Sequence, residues 1–252
     1  MAHKIIIWAL LTFPLLVSPA GALNTDSLFT AGNKLYDSTQ YRQALETYLE
    51  LERNGFQSAA LFFNIGNSYF KEGELGYAIL YYLRAQRLDP GDDEIKTNLE
   101  FARQFMPTIM EGVKINPISE FFDSVTAPFT LNRLAWISSL FFVLLMLTIS
   151  ARLHFQNSSL LTRIVTILLL ILLLVSSGLT TYKYRTDYLS RKGVIIASEA
   201  KVLSGPDDDN DVEFTGGAGL TFVVQKELND FYQVIFENKR KGWIRKADVA
   251  MI

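Results

Sequence analysis

Two long apolar runs near the middle of the sequence constrain the fold more than any other feature. They cover residues 134–151 and 164–182, and neither contains a charged residue. Each run is close in length to the ~20 residues that a helix needs to cross the ~30 Å hydrocarbon core of a membrane. We therefore predict two transmembrane helices that form a hairpin around the short loop 152–163. The alternative is a hairpin buried in a soluble core, where uncharged runs of this length are rare.

A hairpin returns the chain to the side it came from, so the segments before and after it share one compartment. The loop 152–163 contains two arginines and one histidine but no acid, which favours the cytoplasmic side for the loop. Basic residues beyond the second run favour the opposite orientation; they are Lys183, Arg185, Arg191 and Lys192. The N-terminus decides between the two orientations.

Residues 1–22 have the pattern of a secretory signal peptide. A basic start precedes the apolar run 5–17, and the small residues 20–22 match a signal peptidase site. Cleavage is predicted before Leu23. A retained signal anchor is the alternative, which Pro14 inside the run disfavours. Export of the N-terminal segment and the parity of the hairpin then predict that both soluble parts lie outside the cytoplasm.

Composition excludes several functional classes. The net charge of −2 and the pI near 5.8 give no basic field for nucleic acid, and without cysteine there is no disulfide, thiolate metal site or cysteine nucleophile. Histidine occurs only at His3 and His154, outside the predicted mature soluble parts, which removes histidine triads and the usual zinc sites. We predict no catalytic residue, no cofactor and no metal, and leave carboxylate-only chemistry as an open alternative.

The sequence aligns with itself at a shift of 34 residues, the period of tetratricopeptide repeats, in which each repeat is a helix-turn-helix unit. Two repeats are predicted, 25–58 and 59–92, followed by an amphipathic capping helix that ends the repeat region 23–105. Small residues are expected where the two helices of a repeat cross closely, with a tyrosine beside them. The matching pairs are Gly32 and Gly66, Asn33 and Asn67, Ala44 and Ala78, Tyr48 and Tyr82, and Leu49 and Leu83.

Likeness to this repeat class implies that the first helix of each repeat lines a groove for a peptide or a partner helix. A clamp for a C-terminal carboxylate is discounted, because Phe29 and Glu94 stand where such clamps have lysines. The expected groove is aromatic with amide groups, suited to an apolar helix or an extended segment. Ordinary packing between helices is the alternative for each aromatic residue. The predicted groove residues are Phe29, Asn33, Tyr36, Phe63, Asn64, Asn67, Phe70 and Lys71.

Two further segments complete the chain. The connector 106–133 contains a stretch with helical spacing, in which Phe121 and Phe122 face either the membrane interface or the repeat cap. The C-terminal segment 193–252 is predicted to contain short strands typical of a small barrel. The five predicted strands cover residues 194–197, 201–204, 220–225, 231–236 and 242–245. The acidic run 207–211 lacks the glycine and the distal glutamate of an EF-hand, so we predict a solvated loop there.

The segment 193–252 resembles a bacterial SH3-like domain, carried by Val202-Leu203-Ser204-Gly205-Pro206 and Gly242-Trp243-Ile244. The predicted architecture is therefore multi-domain: all-α tetratricopeptide repeats, a two-helix transmembrane hairpin and a small all-β SH3-like barrel. In this order the segments resemble the BatE family encoded with bacterial aerotolerance operons. The motifs that carry the likeness are Gly66-Asn67-Ser68-Tyr69, Leu88-Asp89-Pro90-Gly91-Asp92 and Lys241-Gly242-Trp243-Ile244.

The resemblance implies a protein of the bacterial inner membrane that works beside membrane-anchored von Willebrand A domain proteins and a MoxR-type ATPase. The first hypothesis is a non-catalytic membrane scaffold, in which the groove and the SH3-like module bind protein partners outside the cytoplasm. The alternative is an envelope sensor or anchor that binds peptidoglycan through the SH3-like module. An enzyme is the third class, against which the missing histidine and cysteine argue.

Overall fold

The computed structural model describes residues 25–106, 117–155 and 159–252. The predicted signal peptide and part of the predicted connector lie outside these ranges. The first five helices of the described residues form one group, which we call the helical array. They are α1 (Thr25–Asp37), α2 (Tyr41–Arg53), α3 (Ala59–Lys71), α4 (Leu75–Leu88) and α5 (Asp93–Arg103).

The array is held together by the close approach of a glycine to a tyrosine ring in each helix pair. A β-carbon placed on Gly32 would lie 2.5 Å from the ring of Tyr48, and one on Gly66 would lie 2.7 Å from the ring of Tyr82. Both tyrosines are almost fully buried. Because no side chain larger than hydrogen fits against these rings, the two glycines set how closely the helices of each pair cross.

Polar residues fix the ends of the array helices. The hydroxyl oxygen of Ser58 accepts a hydrogen bond from the Leu61 amide at 3.0 Å and begins α3, and the carboxylate of Asp92 accepts from the amides of Glu94 and Ile95 and begins α5. α3 ends at Lys71, and Gly73, two residues further on, has a φ of +81° that a residue with a side chain rarely adopts. These caps satisfy backbone groups that helix ends leave unpaired.

Two helices, α7 (Leu131–His154) and α8 (Leu160–Tyr184), are long and apolar enough to cross a membrane. They pack against each other as a pair, and their mean hydropathies over the most apolar window are 2.2 and 2.5. Most of their large apolar side chains face outward, as lipid contact requires. Between the helices, the Ser138 and Thr180 hydroxyls lie 3.2 Å apart. The prediction of a pair of membrane-length helices is confirmed.

A short helix, α6 (Pro117–Thr126), lies against the end of α8. The ring of Phe122 lies 5.3 Å from that of Tyr182, and the Tyr182 hydroxyl donates a hydrogen bond of 2.8 Å to the Asp123 carboxylate. The connector therefore contains the predicted helix, and this helix contacts α8.

The C-terminal part forms one antiparallel sheet of seven strands in the order β3-β2-β6-β5-β4-β1-β7, which we call the β module. Its core includes Val202, Phe222, Val234 and Ile244. Five of the seven strands are predicted from the sequence, and β3 and β7 are not. The strands are β1 (Lys192–Ile195), β2 (Glu199–Leu203), β3 (Val212–Gly217), β4 (Thr221–Leu228), β5 (Phe231–Phe236), β6 (Lys241–Arg245) and β7 (Val249–Met251).

The array and the β module pack directly against each other through α4 and β1. Gly76 of α4 lies on the backbone of the β module, because an added β-carbon would be 2.6 Å from Ile196 Cα and 2.7 Å from the carbonyl oxygen of Ile195. Val194 of β1 is fully buried in the core of the array. The Arg84 guanidinium donates a hydrogen bond of 2.8 Å to the carbonyl oxygen of Met251. One continuous apolar interface therefore joins the two parts.

Candidate protein-binding groove

All eight predicted groove residues lie on α1 and α3, the first helices of the two helix pairs. α1 contacts α3 and α3 contacts α5, so these three helices lie side by side on one face of the array. We call this face the groove face. Seven of the eight side chains are half-buried on it, and Lys71 is exposed.

A network of hydrogen bonds brings two of the predicted asparagines together. Asn33 Oδ1 accepts from the Tyr48 hydroxyl at 2.7 Å and from Asn64 Nδ2 at 3.0 Å. The amide oxygen of Asn33 is therefore occupied by the fold itself. Asn33 Nδ2 and Asn64 Oδ1 make no hydrogen bond within the ranges that the structure describes, which leaves one donor and one acceptor on the groove face.

The second helix pair repeats this arrangement, except that in the described part of the chain the amide oxygen of Asn67 accepts from a tyrosine alone and from no second asparagine. Asn67 Oδ1 accepts from the Tyr82 hydroxyl at 2.7 Å, as Asn33 does from Tyr48. Among the described residues, Asn67 Nδ2 donates to no acceptor. Each buried tyrosine thus orients one asparagine so that its NH₂ group points away from the tyrosine, and the two amide donors are one 34-residue period apart.

The aromatic groove residues are packed on one side and open on the other. Phe29 lies 5.9 Å from the ring of Tyr48, and Phe63 lies 5.9 Å from the ring of Tyr82. These contacts are the inter-helix packing that the sequence left open as an alternative. Because both phenylalanines are only half-buried, each ring also contributes apolar surface to the groove face.

At the α5 end of the groove face, three phenylalanines form a cluster that the sequence analysis missed. Phe70 lies 5.6 Å from Phe101 and 5.5 Å from Phe105, and the last two are 5.2 Å apart. Phe101 is 47% exposed and Phe105 57% exposed. Phe101 lies near the end of α5 and Phe105 just after it, and this spacing of four residues between exposed rings is the signal that could have identified them.

At the α1 end, Tyr36 lies 5.1 Å from Tyr41 and Lys71 lies over the Tyr41 ring, 6.0 Å from its centre. Lys71 forms no ion pair with any acid in the described ranges, so its ammonium group is available beside these rings. The groove face therefore combines apolar rings, three amide groups and one cation, a set suited to an apolar segment with exposed backbone carbonyls.

Burial keeps the supporting tyrosines neutral. It raises the pKa of Tyr48 to about 12 against the ordinary value of 10.0, and it also raises the pKa of Tyr82. Both hydroxyls therefore retain their protons at neutral pH and remain donors to Asn33 and Asn67. The orientation of the asparagine amides is fixed by groups that do not titrate under physiological conditions.

The acidic loop after β2 is built as a turn. Asp208 forms a charge-assisted hydrogen bond of 2.7 Å with Arg245, and the Asp207 carboxylate accepts from the Asp209 amide at 3.2 Å. In the ranges covered by the structure, no group of three or more acidic or histidine side chains is arranged to hold a metal ion. The carboxylates of Asp207 and Asp208 therefore form hydrogen bonds with neighbouring protein groups.

No protein-family model matches the chain, and no curated protein matches it by sequence.

Proposed function

We propose that this chain is a non-catalytic, membrane-anchored scaffold whose groove face binds a protein partner outside the cytoplasm. The observation that carries the proposal is the recurring tyrosine–asparagine pair. Tyr48 and Tyr82 each donate a hydrogen bond to the amide oxygen of an asparagine. The NH₂ group of that asparagine is left as a donor beside a half-buried phenylalanine. Donors at regular spacing between apolar rings suit the carbonyl groups and side chains of a bound segment.

We assign the array to the tetratricopeptide class and the β module to the SH3-like class. The 34-residue recurrence of the glycine–tyrosine contact, from Gly32 and Tyr48 to Gly66 and Tyr82, supports the first assignment. The short antiparallel strands of the β module and the position of Gly242-Trp243-Ile244 in β6 support the second. With the apolar pair between them, these assignments support the resemblance to the BatE family.

The proposed location is the bacterial inner membrane, with the array and the β module outside the cytoplasm. Ion pairs support this orientation, because they engage basic residues that otherwise favour the cytoplasm. Asp187 pairs with Lys183 at 3.0 Å and with Lys192 at 4.0 Å, and Glu227 pairs with Arg191 at 2.9 Å. Their charge is thus partly neutralised within the fold, whereas the loop between α7 and α8 has no acid.

The family resemblance gives the partner class for the test, which is a membrane-anchored protein with a von Willebrand A domain. The tagged chain is purified from its own membranes in mild detergent, and co-purified proteins are identified by mass spectrometry. The test variant is Asn33→Asp with Asn67→Asp. Each aspartate keeps an oxygen acceptor for its tyrosine and replaces the NH₂ donor with an anionic oxygen.

The matched control is Gln43→Glu with Gln57→Glu, which adds the same charge at exposed positions off α1 and α3. We expect the parent and the control to retain the partner and the asparagine variant to lose it while its helix content is unchanged. Equal recovery with all three proteins would reject the groove. Recovery of peptidoglycan fragments without any protein partner would contradict the scaffold and favour the glycan-binding alternative.

Orientation has an independent test, because the absence of cysteine makes single-cysteine labelling clean. Gln43→Cys reports on the array, Glu199→Cys on the β module, and Leu153→Cys on the loop end of α7. A membrane-impermeant maleimide applied to spheroplasts is expected to label the first two and to spare the third until the membrane is disrupted. The reverse pattern would overturn the proposed topology.

A further inference from the structure

A cleft of about 620 Å³ opens where four parts of the chain meet. The array contributes α4 and α5, the membrane side contributes α6 and the end of α8, and the β module contributes the start of β1. This volume lies within the range of small-molecule sites in proteins, roughly 300–1,000 Å³. The cleft is separate from the groove face, since no predicted groove residue lines it.

The side chains around the cleft carry an excess of positive charge. Five cationic and two acidic side chains line it, an excess of three positive charges. A concave site with one dominant sign of charge concentrates ligands of the opposite sign. The cations are Arg87, Lys96, Arg103, Lys183 and Lys192, and the acids are Asp123 and Asp187.

The two acids are already engaged by other protein groups. Asp187 forms its shorter ion pair with Lys183, whose side chain is largely buried, and its longer one with Lys192. Asp123 accepts a hydrogen bond from the Tyr182 hydroxyl. Among the described residues, neither acid forms an ion pair with a cation on the array side of the cleft.

Two arginines on the array side retain free donors. The Arg103 side chain forms no hydrogen bond or ion pair with any residue in the described ranges. Arg87 donates one hydrogen bond, from Nη1 to the main-chain oxygen of Ile252 at 3.2 Å, and its guanidinium lies over the Tyr188 ring, 5.6 Å from the ring centre. Its other N–H groups donate to no described residue. Lys96 pairs only with Asp93, whose side chain is 94% exposed, which makes the pair weak. Arginine donors form a fork that matches the oxygens of a phosphate group.

The position of the cleft indicates where such a phosphate comes from. Lys183 lies in the last turn of α8, so the cleft lies beside the point where the second apolar helix ends. In a membrane, this is the level of the lipid headgroups. We infer that the cleft binds the phosphate of an anionic phospholipid in the leaflet next to the array. The inference rests on the proposed function, because it requires the apolar pair to span the membrane.

The test uses the full chain in mild detergent. Native mass spectrometry counts bound molecules during titration with phosphatidylglycerol, with zwitterionic phosphatidylcholine, and with soluble glycerol phosphate. The test variant is Arg103→Gln, chosen because its side chain is exposed and bonded to no described residue. The matched control is Arg53→Gln, an exposed arginine that also lies in the last turn of its helix, α2, away from the cleft.

We expect preferential retention of phosphatidylglycerol, with binding weakened roughly tenfold or more in Arg103→Gln, the loss that one charge-assisted hydrogen bond implies. Binding to Arg53→Gln is expected to equal that of the parent. Equal retention of both lipids, or equal weakening in both variants, would overturn the inference. Glycerol phosphate binding as tight as that of the lipid would overturn the lipid source and leave a free phosphate ester as the ligand.

Failure of this inference is distinguishable from failure of the proposed function. Alkaline carbonate extraction of membranes tests whether the chain is an integral membrane protein at all. A chain that resists extraction but does not prefer phosphatidylglycerol rejects the headgroup site alone. A chain released by carbonate rejects the membrane anchor and, with it, both proposals.

Discussion

Thr39 occupies the same turn in the first helix pair that Gly73 occupies in the second. Thr39 has a φ of +60° and Gly73 a φ of +81°. In both turns the amide at this position donates three residues back, from Thr39 to the Tyr36 carbonyl and from Gly73 to the Phe70 carbonyl. The following amide donates five residues back in each case. The geometry is a Schellman end, which favours glycine and penalises a β-branched residue.

Thr39→Gly is therefore expected to stabilise the protein. The left-handed conformation strains a residue with a side chain by about 1–3 kcal/mol, and the greater freedom of glycine in the unfolded chain offsets about 0.4–1 kcal/mol of the gain. A net gain of about 1 kcal/mol is expected. It is measured as a higher midpoint of thermal unfolding, followed by far-UV circular dichroism in detergent.

The reverse substitution, Gly73→Thr, is the matched control. No atom lies within 4 Å of a β-carbon added to Gly73, so the change tests backbone strain without a steric clash. It is expected to lower the midpoint by an amount similar to the gain. A lower midpoint for Thr39→Gly would mean that the turn in the first pair tolerates threonine without strain.

Gly66→Ala is expected to destabilise the array by about 1–3 kcal/mol. The new β-carbon would meet the Tyr82 ring at 2.7–2.8 Å, and this ring is held by its hydrogen bond to Asn67. Gly91→Ala is the control, because the nearest atom to its β-carbon would be 3.6 Å away. Unfolding midpoints of the two variants are compared. Equal midpoints would show that the tyrosine ring can move aside at no cost.

Alkaline pH is expected to destabilise the array through its buried tyrosines. The raised pKa of Tyr48 means that its contribution to stability is fully present below pH 10, the ordinary tyrosine pKa, and is lost as pH rises toward about 12. The double variant Tyr48→Phe, Tyr82→Phe should cost about 1 kcal/mol per lost hydrogen bond at neutral pH. It should then lose less stability than the parent between pH 10 and 12.

The measurement for this prediction is the free energy of unfolding as a function of pH. Tyr77→Phe serves as the control, because in the described ranges the Tyr77 hydroxyl makes no hydrogen bond. A pH slope in the double variant as steep as in the parent would assign the alkaline loss to other groups.

Gly76→Ala is expected to loosen the contact between the array and the β module without weakening α4. Alanine favours a helix over glycine by about 1 kcal/mol, but its β-carbon would press on the backbone of Ile195 and Ile196, which no side-chain rotation relieves. Hydrogen exchange followed by mass spectrometry should show faster exchange in β1 and β7. Arg84→Gln removes the hydrogen bond to Met251 and the ion pair with Glu52 but leaves the Gly76 contact intact, and it should have a smaller effect. Unchanged exchange in Gly76→Ala would contradict the interface.

The sequence predicts the helical and apolar parts well because their signals are periodic or long. The apolar runs 134–151 and 164–182 lie inside helices that extend further, to Leu131–His154 and Leu160–Tyr184. The extra turns contain polar and charged residues such as Arg133 and Arg152, which hydropathy leaves out. A charged residue near a helix end does not stop the helix, because its long side chain can reach the aqueous phase.

Two strands escaped prediction because the stretch of sequence that could show alternation is short in each. β3 ends in Gly216 and Gly217, and β7 has only three residues. Both glycines are buried against neighbours, and a β-carbon on Gly216 would lie 2.6 Å from Ile195. Close approach selects glycine here, against the usual preference of strands for β-branched residues.

The groove residues could be located from the repeat, but their hydrogen bonds could not. The 34-residue period relates Asn33 to Asn67 without indicating that the Tyr48 and Tyr82 hydroxyls occupy their oxygens. The basic cleft could not be predicted from the sequence for a different reason. Arg103 and Lys183 are 80 residues apart in the sequence and no periodic pattern relates them, so their common position at the cleft follows only from the folded chain.

Because Gly76 packs against β1, the array is connected to the apolar pair at two places. One route from the array to the apolar pair runs along the backbone through α6. The other leaves α4 across the Gly76 contact, enters β1, and reaches α8 through the π-helical turn Arg185–Leu189. A force applied to the helices of the groove face therefore acts on both ends of the hairpin. The end of α8 is likewise connected, through one strand, to α4, the helix whose Tyr82 bonds to Asn67.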